Sequence, residues 1–289
     1  MKKETVLIVG LGEVGQVLFD LFTENHKFEV HGFDVDNRKM QVVADERTLF
    51  RNPDVMHICY PCTDQEKFIK TTLQYIKKAK PRLTIVESTV PPTTTQRIYE
   101  SSKAPIVNSP IRGMHKSIET MKRDIQFWRK YVGGATKQSA AAARRHFQKL
   151  GLRTRVLKSP TETELAKLFE TIYRAWMIAS FQEMHRITRH FGADFDEVAG
   201  FIEDTHRADL NKPLHHPNVI GGHCLIPNTE LLLKYYSSDF LRLILKSNEK
   251  RKIEITDPIV RTEVEKVRKR VKKLEKEARA RSRRDQKRG

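Results

Sequence analysis

The stretch TVLIVGLGEVGQVLFDLF, residues 5–22, decides the fold of this chain. A short apolar, β-branched run leads into the glycines Gly10, Gly12 and Gly15, and a helix-like run follows them. The spacing G-x-G-x-x-G is weak on its own, but a strand before it and a helix after it make it specific for a dinucleotide-binding turn. The first glycine permits the tight turn, the second lets a pyrophosphate approach the backbone, and the third lets the helix lie close to the strand.

The same turn predicts that the dinucleotide is NAD. Glu13, Val14 and Gly15 open the helix, where free N–H groups and the positive end of the helix dipole attract phosphates. Asp34 ends the next predicted strand, 19 residues after Gly15, and a carboxylate there bonds ribose hydroxyls but repels the 2′-phosphate of NADP. Arg38 lies nearby and weakens this preference slightly. We therefore expect NAD as the cofactor.

The sequence up to residue 158 predicts one Rossmann domain, an α/β fold with a doubly wound parallel sheet. Short β-branched runs alternate with helix-like stretches, and such alternation is typical of a parallel sheet covered by helices on both faces. The predicted strands are TVLIVG, FEVHGFDV, VMHICYP, LTIVEST, APIVNSP, YVGG and LRTRVL. We assign residues 1–158 to this cofactor-binding domain.

An all-helical second domain is predicted over residues 159–252. Pro160 stands at a first helical turn and opens a long helix that continues to about His190. Further helices are expected over residues 194–204 and 229–252, and no strand pattern interrupts them.

Residues 253–289 predict a basic, charged helical tail. Five apolar residues recur on it with alternating spacings of four and three: Val260, Val264, Val267, Val271 and Leu274. This a/d pattern covers about two heptads, which is short for a coiled coil that is stable by itself. Beyond Arg279 the sequence is basic and predicts disorder.

The net charge of +18 suggests nucleic-acid binding until the charges are located. Residues 261–289 hold 14 Lys and Arg against 5 Asp and Glu, so half of the excess lies in the tail. A charged tail is more often a solvated surface, so nucleic acid is not the expected partner. No apolar run approaches the ~18–20 residues of a membrane span. Three cysteines form no disulfide framework and no zinc pattern, which predicts a cytoplasmic protein without a metal site.

Four segments resemble the UDP-glucose/GDP-mannose dehydrogenase family: VMHICYPCT, IVESTVPPTTT, ELAKLFETIYRAWMIASFQEM and GGHCLIPN. The resemblance runs to about Asn248 and implies a Rossmann domain followed by a helical dimerisation domain. The family's third domain, which binds the nucleotide of the sugar substrate, is expected to be absent. The resemblance also implies a homodimer and further cofactor contacts at Tyr60, Pro61, Thr63, Glu87, Ser88 and Thr89.

The resemblance implies an NAD-dependent oxidation of an alcohol on a sugar-like substrate. In the family a cysteine captures the aldehyde, a second hydride leaves, and the thioester is hydrolysed. Cys224 in the Gly221-Gly222-His223-Cys224 loop matches that nucleophile, and Lys167 matches the lysine that stabilises oxyanions and holds the hydrolytic water. A lone cysteine is otherwise more often a small buried residue, and a helix lysine is usually solvated. His115 is an equally open case, either a substrate contact or a loop residue.

Three positions depart from the family pattern. Thr171 replaces the asparagine four residues after the lysine, Asn228 replaces the aspartate after the cysteine, and Ile111 replaces a glutamate. An asparagine can hold a water molecule but cannot take its proton, so thioester hydrolysis is the most compromised step.

Two alternatives therefore stay open beside the cysteine mechanism. One is a two-electron, hydroxyacid-type dehydrogenase in which Lys167 is the acid–base group and Cys224 is incidental. The other is a non-catalytic NAD-binding protein whose basic tail docks on nucleic acid or on an acidic partner.

Overall fold

The computed structural model describes residues 3–39, 50–113, 117–207, 214–222 and 224–286. The chain divides into two compact units, Met1–Leu168 and Phe169–Gly289. The domain boundaries expected from the sequence, at residues 158 and 252, remain a prediction.

The first unit is built on a seven-stranded sheet with the order β2-β1-β3-β4-β5-β6-β7. Its strands are β1 Glu4–Val9, β2 Phe28–Phe33, β3 Val55–Ile58, β4 Leu83–Val86, β5 Ile106–Asn108, β6 Lys130–Gly134 and β7 Thr154–Leu157. Each predicted run forms one of them, and the α/β Rossmann class is confirmed.

The sheet is mostly parallel, as expected, with one antiparallel pairing. Strand β6 pairs antiparallel with β5, whereas the other pairings are parallel. Asn108, at the end of β5, lies opposite Gly133, so β6 begins at the edge where β5 ends. The period-two pattern of a strand is the same in both directions, so the sequence could not reveal this reversal.

Helices cover both faces of this sheet and form two apolar layers. They are α1 Glu13–Thr23, α2 Gln65–Ala79, α3 Thr94–Ser102, α4 Ile118–Phe127 and α5 Lys137–Lys149, with a short 3₁₀ turn at Asn37–Lys39. Helices α1, α4 and α5 contribute to the layer that contains Val6 and Ile8. Helices α2 and α3 contribute to the opposite layer, which contains Leu7 and Val9. Alternate residues of β1 therefore belong to opposite layers, as a sheet that is buried on both faces requires.

The long helix predicted from Pro160 is confirmed as α6, Pro160–His190, and the division between the two units falls within it. The helices after it are α7 Phe195–Arg207, α8 Leu225–Leu233, α9 Asp239–Glu254 and α10 Pro258–Gln286. The single helix expected over 229–252 is therefore two helices. Ser238 starts the second by accepting a hydrogen bond from the Leu241 N–H, as an N-cap does. No strand is found among the described residues of this unit, and none of its helices is long and apolar enough to cross a membrane.

The apolar seam of α10 packs within its own unit. Val267, Val271 and Leu274 lie in one buried cluster with Phe181 and Phe195. The seam is therefore part of a domain core, since a heptad pattern specifies an apolar stripe but not the surface that covers it. The helix continues to Gln286, so the disorder expected beyond Arg279 is wrong for residues 280–286.

Candidate functional site

The glycine turn after β1 has the geometry of a dinucleotide site. Gly10 has φ +93°, and a Cβ there would lie 2.7 Å from the Tyr60 backbone nitrogen. A Cβ at Gly15 would lie 1.8 Å from the Gly10 carbonyl oxygen, so the helix can approach the turn only without a side chain. A Cβ at Gly12, by contrast, would meet nothing within 4 Å. The backbone is open at the one glycine where a pyrophosphate must approach it, so this turn fits a dinucleotide.

The residues around the turn have groups suited to phosphate and ribose. Helix α1 makes its first bond from the Gln16 N–H to the Gly12 carbonyl, so the N–H groups of the first turn precede the intrahelical ladder. Asp34 lies just beyond β2 and is only 7% exposed. Its Oδ2 accepts a hydrogen bond of 2.7 Å from the Leu11 N–H, which fixes the carboxylate against the turn.

Arg38 is engaged by a neighbouring carboxylate. Its Nε and one terminal nitrogen each donate to Asp36 at 2.9 Å, in a bidentate pair. The contact lowers the pKa of Asp36 and favours the charged pair. Arg38 is therefore directed at Asp36 in this structure, while Asp34 is hydrogen-bonded to the turn.

The predicted cofactor residues follow neighbouring strands. Tyr60, Pro61 and Thr63 come after β3, and Glu87, Ser88 and Thr89 come after β4. Strand β1 lies between β2 and β3, so the glycine turn is at the point where strand order reverses. Ligands of open α/β sheets bind at the carboxyl ends of strands beside such a point.

The loop after β4 is anchored at both ends. The Ser88 hydroxyl donates to the Tyr60 carbonyl at 2.6 Å, which ties the loop to the segment after β3. At the far end the Glu164 carboxylate accepts hydrogen bonds from the N–H groups of Thr93, at 2.7 Å, and Thr95, at 2.9 Å. Burial raises the pKa of Glu164 to about 7, although these hydrogen bonds oppose the rise. Sequence reasoning missed Glu164 because its partners lie about 70 residues away in the chain, where no local pattern points to them.

Glu87 has a different environment from the one expected for a cofactor contact. Its side chain is directed into the unit, where it is 2% exposed and contacts His57 at 3.0 Å and the Lys130 ammonium group. Burial opposes ionisation, but the positive charge of Lys130 and the hydrogen bond from His57 outweigh it and lower the pKa of Glu87. Glu87 is thus the first residue of the loop after β4, but its carboxylate is buried in the interior of the unit.

In the second unit, Cys224 is the N-cap residue of α8 and is half-buried. Gly222 precedes it by two positions with φ +84°, and a Cβ at Gly221 or Gly222 would meet nothing within 4 Å. A helix N-terminus favours the thiolate form of a cysteine. The loop therefore places a half-buried cysteine at a helix N-terminus, beside backbone that is open at Gly221 and Gly222.

Two of the positions that depart from the family pattern contact each other. The Asn228 amide nitrogen donates to the Thr171 hydroxyl at 3.1 Å, which joins α8 to α6. The Asn228 N–H also bonds to the Cys224 carbonyl at 3.0 Å, within the first turn of α8. An amide and a hydroxyl form this pair, and neither group takes up a proton at neutral pH.

The remaining candidates are divided between the units. Lys167 is a half-buried residue of the first unit, whereas Cys224, Thr171 and Asn228 belong to the second. His115 and His223 lie outside the described residues. Within the described ranges, no group of three or more His, Cys, Asp or Glu residues is placed to hold a metal ion.

Comparison with known proteins finds relatives among nucleotide-sugar dehydrogenases. The chain is 24% identical to UDP-N-acetyl-D-mannosamine dehydrogenase of Methanococcus vannielii, over 90% of this chain and 68% of that protein. The solved structure of the Pyrococcus horikoshii UDP-D-ManNAc dehydrogenase superposes with a TM-score of 0.76 at 20% identity, over 87% of this chain and 70% of that one. The chain thus spans about two-thirds of the length of these relatives.

A shorter enzyme shares the fold over nearly its whole length. Mycobacterium tuberculosis 3-hydroxyisobutyrate dehydrogenase superposes with a TM-score of 0.65 at 14% identity, over 90% of this chain and 99% of that one. The family model for the central domain of the UDP-glucose/GDP-mannose dehydrogenase family matches residues 161–250. The sequence of residues 161–250 is thus similar to the central domain of this dehydrogenase family.

Proposed function

We propose that this chain is an NAD-dependent dehydrogenase that oxidises an alcohol group of a sugar or nucleotide-sugar-like substrate. The observation that carries the proposal is the open backbone at Gly12, between two glycines where a side chain cannot fit. Gly10, Gly12, the first turn of α1 and Asp34 would hold the dinucleotide, with the residues after β3 and β4 beside it. When bound, NAD supplies the hydride acceptor that the oxidation needs.

Cys224 is the proposed nucleophile of a four-electron reaction. The first oxidation removes a hydride and the hydroxyl proton, which leaves an aldehyde. Addition of the Cys224 sulfur to the aldehyde carbon gives a thiohemiacetal, and loss of a second hydride gives a thioester that water must hydrolyse. Lys167 is the proposed partner that stabilises the oxyanion, and the Thr171–Asn228 pair would hold the water molecule.

The second candidate is a two-electron dehydrogenase of a hydroxyacid type, with Lys167 as the acid–base group. One observation favours it. Asn228 and Thr171 cannot take a proton from water, so hydrolysis lacks a base at this pair.

The experiment is to measure NADH formed per substrate consumed, with a panel of nucleotide sugars, free sugars and hydroxyacids. The four-electron reaction gives two NADH per substrate, and C224A lowers that yield. The two-electron reaction gives one, and C224A leaves it unchanged. C62A is the matched control, since Cys62 is also a half-buried cysteine outside any disulfide. Absence of NAD reduction throughout the panel would overturn both candidates.

A homodimer is also part of the proposal. The helix α6 and the residue that follows it expose large apolar side chains: Phe169 at 54%, Tyr173 at 63%, Ile187 at 52% and, just after the helix, Phe191 at 77%. Such a group of side chains on a soluble surface indicates an interaction site. We expect light scattering to report a dimer, and F191D with Y173D to yield a monomer with an unchanged circular dichroism spectrum. We place the protein in a reducing cytoplasm, where its three cysteines remain thiols rather than disulfides.

The non-catalytic alternative depends on the tail being available to a partner. Arg270 instead pairs with Asp196 at 2.7 and 2.8 Å and contacts Glu203 at 3.2 Å, and the apolar seam beside it is buried. Part of the tail therefore has a structural role. A steep salt dependence of DNA or RNA binding by the intact chain would revive the alternative, because phosphate contacts release counterions.

A further inference from the structure

A row of titratable side chains runs through the first unit, from the start of β1 to the residue after β4. Glu4 Oε1 lies 2.6 Å from His146 Nδ1, His146 Nε2 lies 3.0 Å from His57 Nε2, and His57 Nδ1 lies 3.0 Å from Glu87 Oε1. Each contact is within hydrogen-bond distance, so four side chains from β1, α5, β3 and the end of β4 are connected in series.

The row is closed to solvent in its middle and charged at its ends. His57 is 0% exposed and His146 and Glu87 are each 2% exposed, and Phe22 contacts both imidazole rings. Lys149 binds the second oxygen of Glu4, and Lys130 binds the second oxygen of Glu87 and donates to the Ser109 carbonyl at 2.6 Å. A buried polar group destabilises the fold unless it is hydrogen-bonded. Each contact in this row is a hydrogen bond only if one of its two atoms carries a proton, so the contacts restrict the protonation states of the four side chains.

Counting protons in the row identifies its charge. Hydrogen bonds with His146 and Lys149 outweigh burial and lower the pKa of Glu4 to about 2, and the pKa of Glu87 is also lowered. Both ends are therefore carboxylates, which accept, so both Nδ1 atoms carry a proton. The contact between the two Nε2 atoms needs a third proton. Two neutral imidazoles hold two protons in all, so the pair holds one more than neutrality allows.

The extra proton has a route out. Burial lowers the pKa of His146 to about 4, which disfavours a positive charge on that ring. Transfer from His57 Nε2 to His146 Nε2, together with transfer from His146 Nδ1 to Glu4, moves one positive charge to the Glu4 end. Every contact remains a hydrogen bond after these two transfers, and the number of protons is unchanged.

The two ends of the row lie at opposite edges of the strands. Glu4 and His146 line a cavity of about 390 Å³ at the starts of β1, β3 and β4. The charged side chains around that opening are Lys3, Asp54, Arg82, Arg145 and Lys149. Glu87 directly follows β4 and begins the loop assigned to the cofactor. The Cys59 thiol is close enough to Glu87 and Lys130 to interact electrostatically with both.

We propose that Glu4, His146, His57 and Glu87 conduct protons along one face of the sheet, between solvent at the amino edge and the cofactor loop at the carboxyl edge. The use of the row in turnover rests on the proposed function, because each oxidation of an alcohol releases one proton. When a proton enters at Glu87, a second proton is transferred from His57 to His146, and a third leaves from Glu4 into the cavity. Glu4, His146 and His57 act through Glu87 and are positioning residues for this transfer.

E4Q is the variant that interrupts the row while it keeps every hydrogen bond. Lys149 requires an acceptor, so the amide oxygen faces it and the amide nitrogen donates to His146 Nδ1. His146 then donates from Nε2 to His57, which donates from Nδ1 to Glu87. Both rings become neutral, and the amide neither takes up nor releases a proton.

The first measurement counts ring protons by nitrogen NMR on the full chain with labelled histidine, near neutral pH. We expect three ring N–H groups on the His57–His146 pair of the unmodified protein and the loss of one of them in E4Q. H31Q is the control, because His31 is partly exposed and outside the row, and it should leave the count at three. Two ring protons in the unmodified protein, or three in E4Q, would overturn the proposal.

The second measurement follows exchange of the His57 ring protons with water. We expect slower exchange in E4Q than in the unmodified protein and in H31Q, and equal rates would overturn conduction. In turnover, E4Q should lower kcat by up to about 100-fold, the lower end of what a positioned proton-transfer group contributes, with an unchanged KM for NAD. NAD reduction at an unchanged kcat would also overturn it. Absence of any NAD reduction would refute the proposed function instead, while proton count and exchange still decide this proposal.

Discussion

Replacing Glu164 with glutamine tests how the loop after β4 is held. The Glu164 side chain is 1% exposed, and its two oxygens accept the N–H groups of Thr93 and Thr95. Burial raises its pKa from 4.5 to about 7, since two backbone hydrogen bonds only partly replace the lost hydration. The E164Q side chain has nearly the same shape but no charge to develop.

The sign and size of the effect follow from linkage. A carboxyl group whose pKa is raised by folding binds more protons in the folded state, so its contribution to the free energy of unfolding decreases as pH rises. The contribution is fully present below pH 4.5 and is lost as pH rises through about 7. Each pH unit between these two values changes the free energy of unfolding by about 1.4 kcal/mol. The total contribution of Glu164 is therefore about 3 kcal/mol.

The assay is urea denaturation of the unmodified protein and E164Q from pH 4.5 to pH 8. Glu4 and Glu87 have lowered pKa values and act in the opposite sense, but they are present in both proteins and cancel in the difference. We expect the unmodified protein to lose about 3 kcal/mol relative to E164Q across this range. E162Q, at an exposed carboxylate on the same helix, should show no such loss. A difference between the unmodified protein and E164Q that is independent of pH would refute the reasoning.

Three further predictions concern the cofactor turn, the buried ion pair and the seam of α10. G12A should abolish NAD binding in calorimetry without lowering the melting temperature. G15A should lower the NAD affinity and also the melting temperature, because its Cβ meets a carbonyl oxygen. NAD binding retained by G12A would contradict the assignment of the site. E87Q should lower the free energy of unfolding by about 3–5 kcal/mol, because it leaves a buried ammonium group without its counter-charge, and a loss within error in urea denaturation would contradict this. V267A should cost about 2 kcal/mol for two buried methyl groups, while V198A, at a 39% exposed position of the same unit, should cost little; equal losses would argue against packing of the seam.

Local pattern was enough to predict most of the elements and the cofactor turn. The alternation of β-branched runs predicts seven strands, and Pro160 with its periodic apolar residues predicts the long helix. Gly10, Gly12 and Gly15 act through backbone geometry within six positions, so their spacing alone carries the information. These features depend on residues that are close in sequence, where steric and periodic constraints act directly.

Contacts between distant residues were decided only by the tertiary structure. The Thr171–Asn228 pair joins positions 57 apart, Glu164 binds a loop about 70 positions away, and Glu4 meets His146 across 142. The antiparallel direction of β6 and the packing of the α10 seam also depend on residues that are distant in the sequence. The type of a side chain determines which hydrogen bonds and ion pairs it can form, but its partner depends on which helices and strands pack together. The sequence of this chain therefore determines where the cofactor turn is, and the fold determines which buried groups lie beneath it.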